Sequence, residues 1–91
     1  MRNASRLAAV RQLPCVKCGQ DAPSHACHSN FGEHGKGKGI KADDACTIPM
    51  CAKCHSDFDL YVWMNRQQSK DWFNRMLSKT NRMLENYDDT F

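Results

Sequence analysis

Two matched cysteine pairs bracket the middle of this chain. Cys15-Val16-Lys17-Cys18 and Cys51-Ala52-Lys53-Cys54 are separated by residues 19–50, a stretch of 32. Each Cys-x-x-Cys turn presents two thiols and several backbone N–H groups, and two such turns supply the four soft, tetrahedral ligands that zinc prefers. A chain of 91 residues buries only a modest core and often relies on a metal or on disulfides. The first 14 residues, MRNASRLAAVRQLP, are interrupted by Arg6 and Arg11 and hold no apolar run of the kind a secretory signal needs. No stretch reaches membrane-spanning length. These features imply a cytoplasmic, single-domain protein whose thiols stay reduced, so a structural Zn2+ on Cys15, Cys18, Cys51 and Cys54 is expected rather than disulfides. The remaining two cysteines, Cys27 and Cys46, are expected on facing strands as small buried side chains.

The element pattern is α+β. Residues 3–12 suit a short helix that Pro14 stops. Residues 22–30 lack helical periodicity and read as a strand, and residues 45–50, ACTIPM, as a second strand with Pro49 at an edge. Four glycines in the window 32–39 make the intervening stretch a loop. Ser56 is a plausible N-cap for a helix through Phe58, Leu60, Tyr61, Val62 and Trp63. A longer helix is expected from about Ser69 to Tyr87, with Trp72, Phe73, Met76, Leu77, Thr80, Met83, Leu84 and Tyr87 on one face. The organisation predicted is a basic helix over 1–14, a zinc-clamped core over 15–65, and an amphipathic helix with an acidic tail over 66–91. That last helix has two fates open to it: packing onto its own domain, or forming a homodimer.

Residues 51–55, CAKCH, admit three readings: c-type haem attachment, half a zinc site followed by an incidental histidine, or two metals served from one turn. Haem attachment normally follows export, and no export signal is present. The other histidines sharpen the choice. His25, His28 and His34 all fall between the cysteine pairs, and His55 directly follows the last cysteine. With Asn30, Asp43 and Asp44 they offer nitrogen and oxygen donors to a hard or borderline divalent ion.

The stretch CHSNFGEHGKGKGIKADD…PMCAKCHSDFD resembles the HNH endonucleases, the ββα-metal or His-Me finger nucleases, and in particular their small phage- and prophage-encoded members with a four-cysteine zinc site. The likeness spans about residues 15–60. It implies a ββα-metal fold and metal-dependent hydrolysis of DNA phosphodiester bonds. It also implies His28 as general base, and His55 as a ligand of a catalytic Mg2+ or Mn2+ that stabilises the leaving 3′ oxygen. Cys27 stands where that family often carries Asp, Glu or His as a second metal ligand. His25 and His34 are further candidate ligands, and Asp44 or Asn30 would take the orienting role of the family's middle Asn. Lys36, Lys38 and Lys41, among glycines, are candidate phosphate contacts or simply solvated loop. A non-catalytic zinc module that binds nucleic acid or protein is the alternative.

Overall fold

The computed structural model describes residues 3–29, 31 and 44–89. Five elements follow in order: α1 (Ala4–Arg11), β1 (His25–His28), β2 (Thr47–Met50), α2 (Ala52–Asp59) and α3 (Arg66–Asp89). The class is α+β, with one two-stranded antiparallel sheet. His25 pairs with Met50, Ala26 with Pro49, Cys27 with Ile48 and His28 with Thr47. Proline is tolerated in this strand because the sheet has no central strand for it to interrupt.

Helix α1 starts where Asn3 Oδ1 accepts the Arg6 N–H at 3.0 Å, an N-cap that satisfies one of the unpaired donors of the first turn. It buries Val10 alone, so burial cannot be its main anchor. Arg6 supplies another. Its Nε donates to Thr47 Oγ1 at 3.1 Å, its Nη2 to the Thr47 carbonyl at 2.8 Å and its Nη1 to Asn81 Oδ1 at 2.9 Å. One guanidinium thereby ties α1 to β2 and α3. Burial lowers its pKa from the usual arginine value, and the three acceptors replace the water it loses.

The first cysteine turn closes by two backbone bonds, Gly19 N–H to the Cys15 carbonyl and Cys15 N–H to the Gln20 carbonyl, both 2.9 Å. Gly19 has φ +79, a left-handed conformation that glycine adopts without penalty; the space around it is open, so backbone geometry alone demands it. Val16 N–H then donates to the Pro49 carbonyl at 3.0 Å, docking this turn on the outer edge of β2.

The core gathers Phe31, Phe58 and Phe73 with Cys27, Ile48, Met50 and three of the paired cysteines. The three phenylalanines meet with ring centroids 5.6–6.3 Å apart, Phe31 edge-on to the other two. Trp63, Trp72, Met76 and Leu77 pack around them. The stripe expected on the last helix is therefore core, from Trp72 to the buried Thr80, whose hydroxyl donates to the Met76 carbonyl at 2.8 Å. Among the described residues, no helix is long and apolar enough to cross a membrane.

Three sequence expectations need correction. Helix α2 begins at Ala52, capped by Cys51, and not at Ser56. It ends at Asp59, and Tyr61 takes φ +54. Leu60 and Val62, expected on an apolar face, consequently stand 71% and 60% exposed. Helix α3 starts at Arg66 rather than Ser69, because Asn65 and Gln68 form reciprocal caps: Gln68 N–H donates to Asn65 Oδ1 at 2.8 Å and Asn65 N–H to Gln68 Oε1 at 3.1 Å. Finally, Cys27 faces Ile48 across the sheet, and Cys46 precedes β2, its carbonyl accepting Ser29 N–H at 3.2 Å.

Phe73, on α3, is fully buried against both other phenylalanines. Phe73→Ala should cost about 3–5 kcal/mol, a large part of the stability of so small a domain. Urea denaturation of the zinc-loaded protein checks this.

Candidate metal centres and a histidine–aspartate dyad

Three groups of chemistry-bearing side chains surround the hairpin. The first is the four-cysteine cluster. The sulfurs of Cys15, Cys18, Cys51 and Cys54 all lie within 4.8 Å of one another, and none of these cysteines forms a disulfide. Cys18 and Cys51, one from each turn, have sulfurs 3.7 Å apart. Two thiolates on one tetrahedral zinc with bonds of about 2.3 Å would be about 3.8 Å apart, so the donor set and its spacing fit that ion. The cluster can hold a metal such as zinc.

Its electrostatics point the same way. At Cys15, burial pushes the thiol up, but the backbone amides of Cys18, Cys51 and Lys17 and the Cys18 thiol outweigh it and hold the group at about 6. Burial, followed by hydrogen bonding to the other three sulfurs, pushes Cys54 well above the ordinary thiol range. The cluster thus stabilises the Cys15 thiolate, whereas Cys54 needs a cation before it ionises. The Cys51 sulfur also accepts the Cys54 N–H at 3.5 Å and caps α2.

The second group lies where β1 meets α2. The ligand atoms of Cys27, His55 and Asp59 fall within 4.8 Å of one another. His55 Nε2 is 3.3 Å from Asp59 Oδ2, and His55 Nδ1 is 3.1 Å from His25 Nδ1. The two imidazoles meet edge to face at 81°. Burial holds His55 below the usual histidine value; Asp59 pulls it back up, and His25 and His28 push it down. Cys27 is fully buried, and burial, with Asp59, raises its thiol far above the ordinary range. A shallow depression lined by His25, Ala52, His55, Ser56, Asp59 and Leu60 opens over this group.

The third group is a dyad. His28 Nε2 is 2.8 Å from Asp44 Oδ1. Asp44 is buried, and its Oδ2 accepts the Asn3 backbone N–H at 2.7 Å. The Asp44 carbonyl accepts the Thr47 hydroxyl at 2.9 Å. A buried carboxylate needs such partners, and they leave it one orientation toward the imidazole. Because a carboxylate accepts, Nε2 of His28 carries a proton here, which leaves Nδ1 as the lone-pair nitrogen of the neutral imidazole.

Of the residues singled out from sequence, the structure brings Cys15, Cys18, Cys51 and Cys54 together. It places His25 and Cys27 beside His55, and His28 beside Asp44. Asn30, His34, Lys36, Lys38 and Lys41 lie outside the described residues. Asp59 escaped the sequence reading although its signal was there: His55-x-x-x-Asp59 is an i,i+4 pair on a helix. Starting that helix at Ser56 left His55 outside it and hid the pairing. Asn3, which acts through its backbone, carries no side-chain signal at all.

Zinc affinity of the four-cysteine cluster should rise with pH above about 6, because zinc must displace protons from thiols such as Cys54 while Cys15 is already ionised. Below about 6, Cys15 must give up a proton as well, so the dependence steepens. Chelator competition at a series of pH values measures both slopes.

Neither curated proteins nor solved structures offer a match to this chain. Among protein families, residues 1–82 match one described as "Protein of unknown function (DUF968)". That match takes in α1, both cysteine turns, the hairpin, α2 and most of α3. On that extent, the chain belongs to the DUF968 family.

Proposed function

We propose that this protein is a metal-dependent endonuclease of the HNH, His-Me finger type, hydrolysing DNA phosphodiester bonds. The observation that carries the reading is the position of His28. It sits on the strand that also carries Cys27 and His25, its Nε2 held 2.8 Å from a buried carboxylate. A fixed imidazole beside a cluster of metal-ligating groups is what hydrolysis of a phosphodiester needs. The order β1–β2–α2, with the cysteine clamp outside it, supports assignment to the ββα-metal fold.

In this reading His28 Nδ1 takes the proton from an attacking water. Asp44 sets the tautomer and stabilises the imidazolium that forms, so it is a positioning residue. His55, with Asp59 and Cys27, would hold a divalent ion, which supplies charge stabilisation to the phosphate and the leaving 3′ oxygen. The four-cysteine zinc is structural. Lys36, Lys38 and Lys41 are proposed to contact the phosphate backbone, on their sequence pattern alone. Arg6 is not available for that role, since its guanidinium is committed to Thr47 and Asn81. One such domain holds one active site, so a single encounter nicks one strand, and a double-strand break would take two copies.

A second reading, a non-catalytic zinc module that binds a macromolecular partner, draws on the exposed Leu60 and Val62 beside the site. Supercoiled plasmid separates the two. Protein with its structural zinc in place and its other sites stripped should nick plasmid only when a divalent ion is returned. His28→Ala should lower the rate about 100- to 10,000-fold, with zinc content and circular dichroism unchanged. Equal nicking by His28→Ala would sink the assignment of the base. Zinc-loaded protein that cleaves neither plasmid, branched DNA nor RNA would favour the binding module.

A further inference from the structure

We propose that the cluster between β1 and α2 is built for a thiophilic, borderline divalent ion such as Zn2+, and not for Mg2+, with Cys27, His55 and Asp59 as ligands and His25 orienting His55. This deepens the proposed function, resting on it only in calling the site catalytic; occupancy can be read without any cleavage.

The donor set carries the argument. Mg2+ requires near-octahedral oxygen coordination and is a poor match for sulfur. Here one carboxylate stands with one imidazole and one thiol, the mixture that suits zinc and its neighbours. The spacing agrees. His55 Nε2 and Asp59 Oδ2 are 3.3 Å apart, about the 3.3 Å that separates two light ligand atoms on a tetrahedral ion with bonds of about 2.0 Å. Both belong to α2, one turn apart, so the helix itself maintains that separation. Cys27 comes from β1, fully buried beneath them. On binding, its thiol releases a proton to solvent and the thiolate ligates.

His25 completes the arrangement from outside. An imidazole that ligates through Nε2 carries its proton on Nδ1 and needs an acceptor there. His25 Nδ1 lies 3.1 Å from His55 Nδ1, which makes it that acceptor and leaves its own proton on Nε2. Three protein ligands leave a fourth position open. A water or a phosphate oxygen would fill it, as in catalytic zinc sites, and the depression lined by His25, His55 and Asp59 lets solvent reach these side chains. The four-cysteine cluster has no such opening, since its ligands are complete.

Cobalt substitution tests this on the full chain. Protein carrying one zinc per chain, confirmed by metal analysis, is titrated with Co2+ and followed in the visible and near-ultraviolet. We expect a second ion to bind per chain with a sulfur-to-cobalt charge-transfer band that millimolar Mg2+ does not remove. Cys27→Ser should abolish the band and weaken the second ion by more than about tenfold, and His25→Ala should keep the band while weakening it about 10- to 100-fold. Because Cys27 is in the core, Asp59→Asn on the exposed side of α2 provides a variant whose fold is safe; it too should weaken the second ion. No second Co2+, a band that survives in Cys27→Ser, or displacement by millimolar Mg2+ would each overturn the proposal. Cleavage with Mg2+ by protein that takes up no second Co2+ would overturn this inference and leave the nuclease standing. A second ion bound as expected, without cleavage of any nucleic acid, would do the reverse.

Discussion

The convergence of four thiols is the constraint from which the rest of the structure follows. Cys15 and Cys18 come from a turn after α1, Cys51 and Cys54 from the start of α2, and their sulfurs share one small volume. That closes the chain around the hairpin, and closing a loop of this length removes much of the freedom the unfolded chain would have. The first turn is also hydrogen-bonded to the edge of β2 through Val16 and Pro49. The sulfur cluster and the sheet edge thus both position the first cysteine turn, and among the described residues the apolar core rests on three phenylalanines and few aliphatic side chains.

The clamp has a second effect, on chemistry. The Cys51 sulfur caps α2, so the helix begins at Ala52 and His55 falls inside its first turn. One turn further on, Asp59 comes onto the same face. Had the helix started at Ser56, these two side chains would not be neighbours. The residue that contributes a sulfur to the four-cysteine cluster therefore also sets the spacing of the second cluster.

Strand β1 serves two groups. His25 and Cys27 meet α2, whereas His28 meets Asp44. Asp44 is held in turn by the N-terminus of α1, through the Asn3 backbone, while Arg6 fastens that helix to β2 and α3. A helix that buries little of its own thus orders the imidazole proposed as base. Its arginine, which by sequence could pass for a phosphate contact, is part of the scaffold.

Much of this was legible in the residues. Paired Cys-x-x-Cys turns announce a shared metal because their spacing is a local property of a tight turn, and the α3 stripe announces a core face because helical periodicity is local too. The family resemblance drew attention to His28 and His55 and to Asp44. What the residues did not reveal is the start of α2, which hid the i,i+4 pair His55–Asp59, the isolation of Leu60 and Val62 in solvent, and the pairings His25–His55 and Asp44–Asn3. The helix start depends on a cap by the Cys51 sulfur, and cysteine is not one of the ordinary N-cap residues that a sequence pattern signals. The exposure follows from the left-handed Tyr61, which no apolar pattern foretells. The pairings join groups up to 41 residues apart, or use a backbone N–H that every residue has. The sequence by itself determined which donors are available and how each cysteine turn is shaped, because those are matters of composition and short-range geometry. Which donors meet, at what spacing and with which proton on which nitrogen, was decided only when hairpin, helices and turns closed on one another, because distance between remote residues is a property of the fold.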